Sequence, residues 1–239
     1  MKRRSSMNSP LLPTFLSSCL LLFISSISAF NFQQSLLKWF KEADFVAQLH
    51  AKHVASESVQ HMFKGTPLAS APDQAKIDFA NSLAGQMLSQ FMVSEQDLLG
   101  EWKVGKIVEA AGDDFESETA RRGLLNVISS NQMTIFSFVD CPWCLLAKKL
   151  LKEEYNLTSG DGTLQVVELE DLGRKGKHLR AAIAIETGRT SMPAIFIGER
   201  AIGGYTDGFP GLQSLHESGE LISMLEEEEK KKKNFLEVT

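Results

Sequence analysis

The chain has 239 residues, 43% of them hydrophobic, and a formal net charge of −5 from 25 Lys and Arg against 30 Asp and Glu. That length accommodates one ordinary domain plus an extra element. The acidic balance argues against nucleic acid as the main partner, and no aromatic platforms interleave with basic residues.

Residues 1–29 read as a targeting segment. Lys2, Arg3 and Arg4 form a positive start, Leu16 to Ile27 is an apolar run broken by serines, and Ser26-Ile27-Ser28-Ala29 offers small residues for cleavage. The alternative is a membrane anchor, for which the run is short and interrupted, so no stable anchor is expected after processing. Removal would take away three cations and no acids and move the net charge from −5 to −8.

Residues 30–125 read as a helical region of unknown role. Gln33 to Phe63 and Asp73 to Ala111 carry apolar residues at three and four spacing, Phe79, Leu83, Met87 and Phe91 among them. Gly65-Thr66-Pro67 and Ala69-Ser70-Ala71-Pro72 punctuate the join, and Asp73 opens the second run. His50, His53 and His61 offer a metal-site alternative, but they lack the cysteines or paired acids that would complete one, and no metal is expected.

Thr134-Ile135-Phe136-Ser137-Phe138-Val139 is β-branched and aromatic, which predicts a strand. Cys141-Pro142-Trp143-Cys144 follows, and then Leu146, Leu150 and Leu151 recur at helical spacing among Lys148, Lys149 and Lys152. A C-x-x-C loop between strand and helix points to dithiol redox chemistry. Pro142 suits the first turn of a helix, which puts Cys141 at the N-cap, where free N–H groups and the helix dipole favour a thiolate. Two alternatives stand beside this reading. A zinc site needs four ligands, and only Cys19, His178 and His216, none at suggestive spacing, could be recruited. A static disulfide closing so short a loop would stabilise little.

Further on stand Thr187-Gly188-Arg189-Thr190-Ser191-Met192-Pro193, then Ala194-Ile195-Phe196-Ile197-Gly198, then Ile202-Gly203-Gly204-Tyr205-Thr206-Asp207, and finally Leu212, Leu215 and Ser218-Gly219-Glu220-Leu221. With Phe136-Ser137, the C-x-x-C loop and Lys148, this ordered set resembles a dithiol glutaredoxin from Met133 to about Glu226, roughly two fifths of the chain.

The resemblance implies a thioredoxin-like α/β domain: a mixed four-stranded sheet flanked by helices and preceded by the helical region. Strands are expected near 133–138, 164–169, 194–197 and 200–202, and helices near 142–155, 175–187, 207–216 and 218–229. The expected organisation is a targeting segment at 1–29, the helical region at 30–125, the redox domain at 126–229 and a charged tail at 230–239. The implied activity is glutathione-dependent reduction of protein disulfides and protein–glutathione mixed disulfides, with Cys141 as nucleophile and Cys144 as resolving thiol. Glutathione serves as cosubstrate. Arg180, Met192, Pro193, Gly204, Tyr205, Thr206 and Asp207 are the implied glutathione-binding residues, with a cis bond before Pro193 and a helix starting at Thr206-Asp207. Arg180 would face the glycine carboxylate by bidentate pairing. Asp207 would meet the γ-glutamyl amine, while the helix N–H groups hold the neighbouring carboxylate.

Three positions depart from the family pattern. Phe138 stands where a Lys is common, Asp140 puts a carboxylate beside Cys141, and Trp143 replaces a Tyr. The first two should oppose thiolate formation, with Lys148 and Lys149 as partial compensation. The rival reading is a carrier of a [2Fe–2S] cluster shared between two subunits, disfavoured by Pro142 and by the competing dithiol. Ser28-Ala29-Phe30 resembles the cleavage motif of algae with secondary plastids, which implies a plastid reached through the ER; ER or secretory residence is the alternative, and Asn156-Leu157-Thr158 is a glycosylation sequon. At the C-terminus, each glutamate of Glu226 to Glu229 lies four residues before a lysine of Lys230 to Lys233, the favourable order on an exposed helix.

Overall fold

The computed structural model describes residues 67–238 except 69, 160 and 161, with side chains described as far as 234. The targeting segment, the Gln33 to Phe63 run and His50, His53 and His61 lie outside the described residues.

Four strands form one mixed sheet in the order β2-β1-β3-β4. β1 (Met133–Ser137) runs parallel to β2 (Leu164–Glu168) and antiparallel to β3 (Ala194–Ile197), which pairs antiparallel with β4 (Arg200–Gly203). The parallel pair needs a crossover, and α4 (Pro142–Tyr155) supplies it. The antiparallel pair needs only the turn at Gly198-Glu199, where Gly198 takes φ 52°. All five residues of β1 are buried, as a central strand covered on both faces must be.

Alternation along β1 divides the core. Met133 and Ile135 point into a cluster with Ala147 and Leu151 of α4, Leu212 and Leu215 of α6 (Leu212–Ser218), and Leu221 and Leu225 of α7 (Glu220–Val238). Phe136 points the other way, edge-on to Phe196, into a cluster with Leu124 and Ile128 of α3 (Ser117–Ser130) and Ala182 and Ile183 of α5 (Arg174–Thr187). The result is the expected thioredoxin-like architecture with a helical region ahead of the strands.

That helical region differs in detail from the sequence reading. The run from Asp73 is two helices, α1 (Asp73–Asn81) and α2 (Leu83–Ala111), broken where Ser82 takes an extended backbone and caps the amide of Gly85. Gly85 is required at this corner, because a Cβ there would meet the Phe79 carbonyl and the Ala80 backbone. α3 is a separate element whose buried Ala120, Leu124 and Ile128 repeat every four residues. α2 returns along α5, burying Ile107 and Ala111 against Ala181 and Ala184.

The C-terminal helices also differ from expectation. The helix expected over 207–216 begins only at Leu212, because Gly208 and Gly211 take positive φ and the Phe209–Pro210 bond is cis, so residues 204–210 form a loop. α7 runs on to Val238 rather than ending near 229, and pairs Lys230–Glu226, Lys231–Glu227 and Lys233–Glu229 line its exposed face at the expected spacing.

Candidate active site

Cys141 occupies the N-cap of α4, with Pro142 in the first turn. Its Sγ accepts the Cys144 amide at 3.4 Å, and its thiol donates to the Met192 carbonyl at 3.6 Å. Both thiols are free and neither is exposed to solvent. Burial pushes the Cys144 thiol well above its ordinary range, and the adjoining Cys141 pushes it the same way. Cys144 therefore stays protonated at neutral pH.

The bond between Met192 and Pro193 is cis. The Met192 carbonyl faces Cys141, so this backbone oxygen is engaged with the thiol. Met192 and Pro193 line a small groove with Trp143, Arg189, Ser191, Thr206 and Asp207. The structure thus gathers Met192, Pro193, Thr206 and Asp207 beside the C-x-x-C helix. Ser89 and Met92 of α2 form the opposite wall of the same groove.

Asp207 does not sit at a helix start. Its carboxylate takes two hydrogen bonds from Arg189, at 2.8 and 2.9 Å, and Arg189 Nε also donates to the Pro193 carbonyl at 2.9 Å. The first two amides of α6, Leu212 and Gln213, donate to the Gly204 and Tyr205 carbonyls at 2.9 Å each. The helix N–H groups expected to hold a carboxylate are therefore used by the loop itself. Gly204 is confined from the other side, since a Cβ there would collide with the Arg189 guanidinium and the Asp207 carboxylate. Gly203 takes φ 104° and lies against Asp207 and Gly208. Tyr205 packs into both core clusters, and burial raises its phenol.

Arg180 stands apart from the groove residues. Its guanidinium lies over the Phe138 ring, 5.3 Å from the centroid, and its buried Nε has no hydrogen-bond partner among the described residues. Burial lowers it to about 10, which leaves it cationic at neutral pH. A cation thus reaches Phe138 through space, although the sequence carries none at that position.

Two expectations about charge change. Lys148 donates to Glu168 at 2.8 Å, so its charge is engaged toward β2. Asp140 is met by Lys76 of α1, Nζ to Oδ1 2.5 Å, and Lys76 is only 4% exposed. The sequence reading also missed the polar attachment of α2. Ser89 and Thr206 share a hydrogen bond of 2.6 Å, and Gln96 donates to the Gly188 carbonyl at 2.7 Å while accepting from the Thr190 amide at 3.3 Å and from the Thr190 hydroxyl. Arg189 lay inside a quoted motif and could have been found there. Lys76, Ser89 and Gln96 are ordinary helix residues with no local signal.

No protein-family model matches the chain. The chain is similar to a glutaredoxin of Solanum lycopersicum, 34% identical over 101 residues, covering 42% of this chain and 83% of the relative. It is 32% identical over 101 residues to glutaredoxin-C4, chloroplastic, of Oryza sativa, covering 42% of this chain and 68% of that one. Among solved structures, a buckwheat glutaredoxin–glutathione complex covers 49% of this chain and 96% of its own, at 27% identity and a TM-score of 0.42.

Proposed function

The chain belongs to the glutaredoxin family of thiol oxidoreductases, and from that premise we propose that it is a glutathione-dependent reductase of protein–glutathione mixed disulfides and protein disulfides. The observation that carries this reading is the placement of Cys141 Sγ at a helix N-cap, hydrogen-bonded by the Cys144 amide and beside the groove that runs past Met192 and Pro193.

Cys141 thiolate attacks the glutathione sulfur of a mixed disulfide. The old S–S bond breaks, the protein leaves as a thiolate and takes up a proton, and Cys141 carries the glutathione. A second glutathione thiolate attacks that sulfur, releasing glutathione disulfide and restoring the Cys141 thiolate. The net exchange consumes one free glutathione: its thiol becomes half of the new disulfide as the protein sulfur returns to a thiol, and the transferred glutathione sulfur stays in a disulfide throughout. On a protein disulfide, Cys144 loses its proton as it displaces the substrate from Cys141, and two glutathiones reopen the internal disulfide. Exchange rates follow thiolate fraction and nucleophilicity, which suits a protonated, buried Cys144 to this second step only.

In this reading the groove takes the glutathione backbone. Arg189 fixes the Asp207 carboxylate so that its accessible edge meets the γ-glutamyl amine, while Thr206, Tyr205 and Gly204 offer loop polar groups. Arg180 supplies a cation for the glycine carboxylate. A [2Fe–2S] cluster held between two subunits would compete with Cys144 for the Cys141 sulfur, and Pro142 in the first turn of α4 stiffens the loop that would have to open for it.

The test is glutathione-coupled reduction of a glutathionylated protein by the full chain. Cys141→Ser should abolish turnover, whereas Cys144→Ser should keep most of it on mixed disulfides and lose it on protein disulfides. Undiminished turnover with Cys141→Ser would sink the reading. We further propose that residues 1–29 are an ER-type leader for delivery to a plastid, with ER or secretory residence as the alternative. The composition of the segment and its Ser28-Ala29-Phe30 junction support this. A mature protein beginning at Phe30 is expected on N-terminal sequencing, and an intact Met1 would overturn it.

A further inference from the structure

We propose that Lys76, on the helical arm ahead of the redox domain, is a positioning residue of the redox site: it neutralises the Asp140 carboxylate so that Cys141 can ionise beside an acidic neighbour. The proposal rests on the reading above in taking Cys141 as the reacting thiol.

Packing delivers the lysine. α1 buries Lys76, Ile77 and Ala80, and Ile77 and Ala80 join the cluster that contains Cys141, Trp143 and Phe138. Phe79 meets Trp143 edge-on with centroids 6.5 Å apart. A lysine is almost never this buried unless its ammonium is paired. Here the partner is the residue directly before the nucleophile, sixty-four positions away in sequence.

The charges around the 138–141 turn show why the pair matters. Asp140 precedes Cys141, and Glu170 accepts the Val139 amide at 3.0 Å, so two carboxylates face this short turn. Lys76 and Arg180 face it as cations, Arg180 through Phe138. Asp73 lies 3.9 Å from Lys76 on the exposed side of α1. Across the groove, Arg189 and Asp207 are paired with each other, and Lys148 is paired with Glu168, so each of those couples is nearly neutral from a distance. Cys144 remains an uncharged thiol. Lys76 and Arg180 thus face Asp140 and Glu170, with Asp73 further out on the exposed side, and removing Lys76 takes away the cation paired with the carboxylate next to the sulfur that must become a thiolate. A carboxylate so close raises the pH at which a thiol ionises, and a cation paired with it reverses the effect.

The experiment uses the full chain with Cys19→Ser and Cys144→Ser, so that Cys141 is the sole thiol, and follows the ultraviolet absorbance of the thiolate against pH. Lys76→Met should move the midpoint up by about one pH unit, and Lys76→Arg should leave it near the parent value. Asp140→Asn should move it down, and combining Asp140→Asn with Lys76→Met should return it toward the parent. An ordinary surface ion pair would move none of these midpoints. An unchanged midpoint in a folded Lys76→Met protein overturns the proposal. If Lys76→Met loses helical circular dichroism, the double variant, which leaves neither charge of the pair behind, decides: a midpoint above that of Asp140→Asn supports the proposal and one equal to it overturns it. The titration needs no substrate. Absent turnover in the unmodified chain would therefore sink the reductase reading, while the midpoints still judge Lys76.

Discussion

The redox domain and the arm formed by α1 and α2 meet at one groove but are held in place by different forces. The domain is built on a four-stranded ladder with two apolar clusters, one on each face. The arm is apolar at its two ends, through Ile77 and Ala80 at one and Ile107 and Ala111 at the other. Between those ends Leu88 and Met92 of α2 pack against the domain's apolar cluster, and polar side chains add Ser89 to Thr206 and Gln96 to Thr190 and Gly188. A neutral hydrogen bond contributes about 0.5–1.5 kcal/mol net, so each of these polar fastenings is small beside the ladder of the sheet.

Two substitutions that act on the same loop, one from within the domain and one from the arm, rank these contributions. Arg189 is the domain's own fastening: its side chain is 11% exposed and holds both Asp207 oxygens and the Pro193 carbonyl. Arg189→Met leaves a partly buried carboxylate without its partner and should cost about 2–3 kcal/mol, below the range for a fully buried pair. Displacing Asp207 and Pro193 together should lower kcat/KM for a glutathionylated substrate by about 10²-fold. Gln96→Leu removes only the arm's bonds to Gly188 and Thr190 and should cost about 1 kcal/mol, with less than a tenfold change in kcat/KM. Chemical denaturation and steady-state kinetics on both variants check the order. If Gln96→Leu were the more damaging, the arm and not Arg189 would be what holds the loop.

The same contrast explains what could be read from the sequence. The strand, the C-x-x-C loop and α4 were legible because their signals are adjacent: β-branched residues, then Cys141-Pro142, then leucines at helical spacing. The strands at β3 and β4 followed from the family resemblance, β3 with the added support of the apolar Ala194-Ile195-Phe196-Ile197. The loop at 204–210 was misread as a helix start, since Thr206-Asp207 resembles an N-cap pair while the cis bond before Pro210 and the positive φ of Gly208 and Gly211 leave no periodic trace. Lys76 to Asp140, Ser89 to Thr206 and Gln96 to Thr190 span 64, 117 and 94 residues. No local pattern marks a residue whose partner is chosen only when two helices pack.

A further effect is confined to alkaline pH, and it separates the buried thiol from everything on the arm. Burial pushes Cys144 well above its ordinary value of 9.0 in the folded protein. In the unfolded chain the thiol returns to that value, so above pH 9.0 the unfolded state releases a proton that the folded state keeps. The folded state then binds more protons than the unfolded one, and stability must fall as pH rises. The contribution is fully present below 9.0 and is lost above it, with a limiting slope of about 1.4 kcal/mol per pH unit. Tyr155 and Tyr205 are also raised by burial, but from 10.0, so their share begins a unit higher. Urea unfolding under reducing conditions between these two values therefore isolates Cys144. Cys144→Ala should carry a constant cost for its cavity at every pH and a visibly shallower decline across that window. Parallel declines in the two proteins would mean that solvent reaches the second thiol, and that Cys144 is as free to ionise as any surface cysteine.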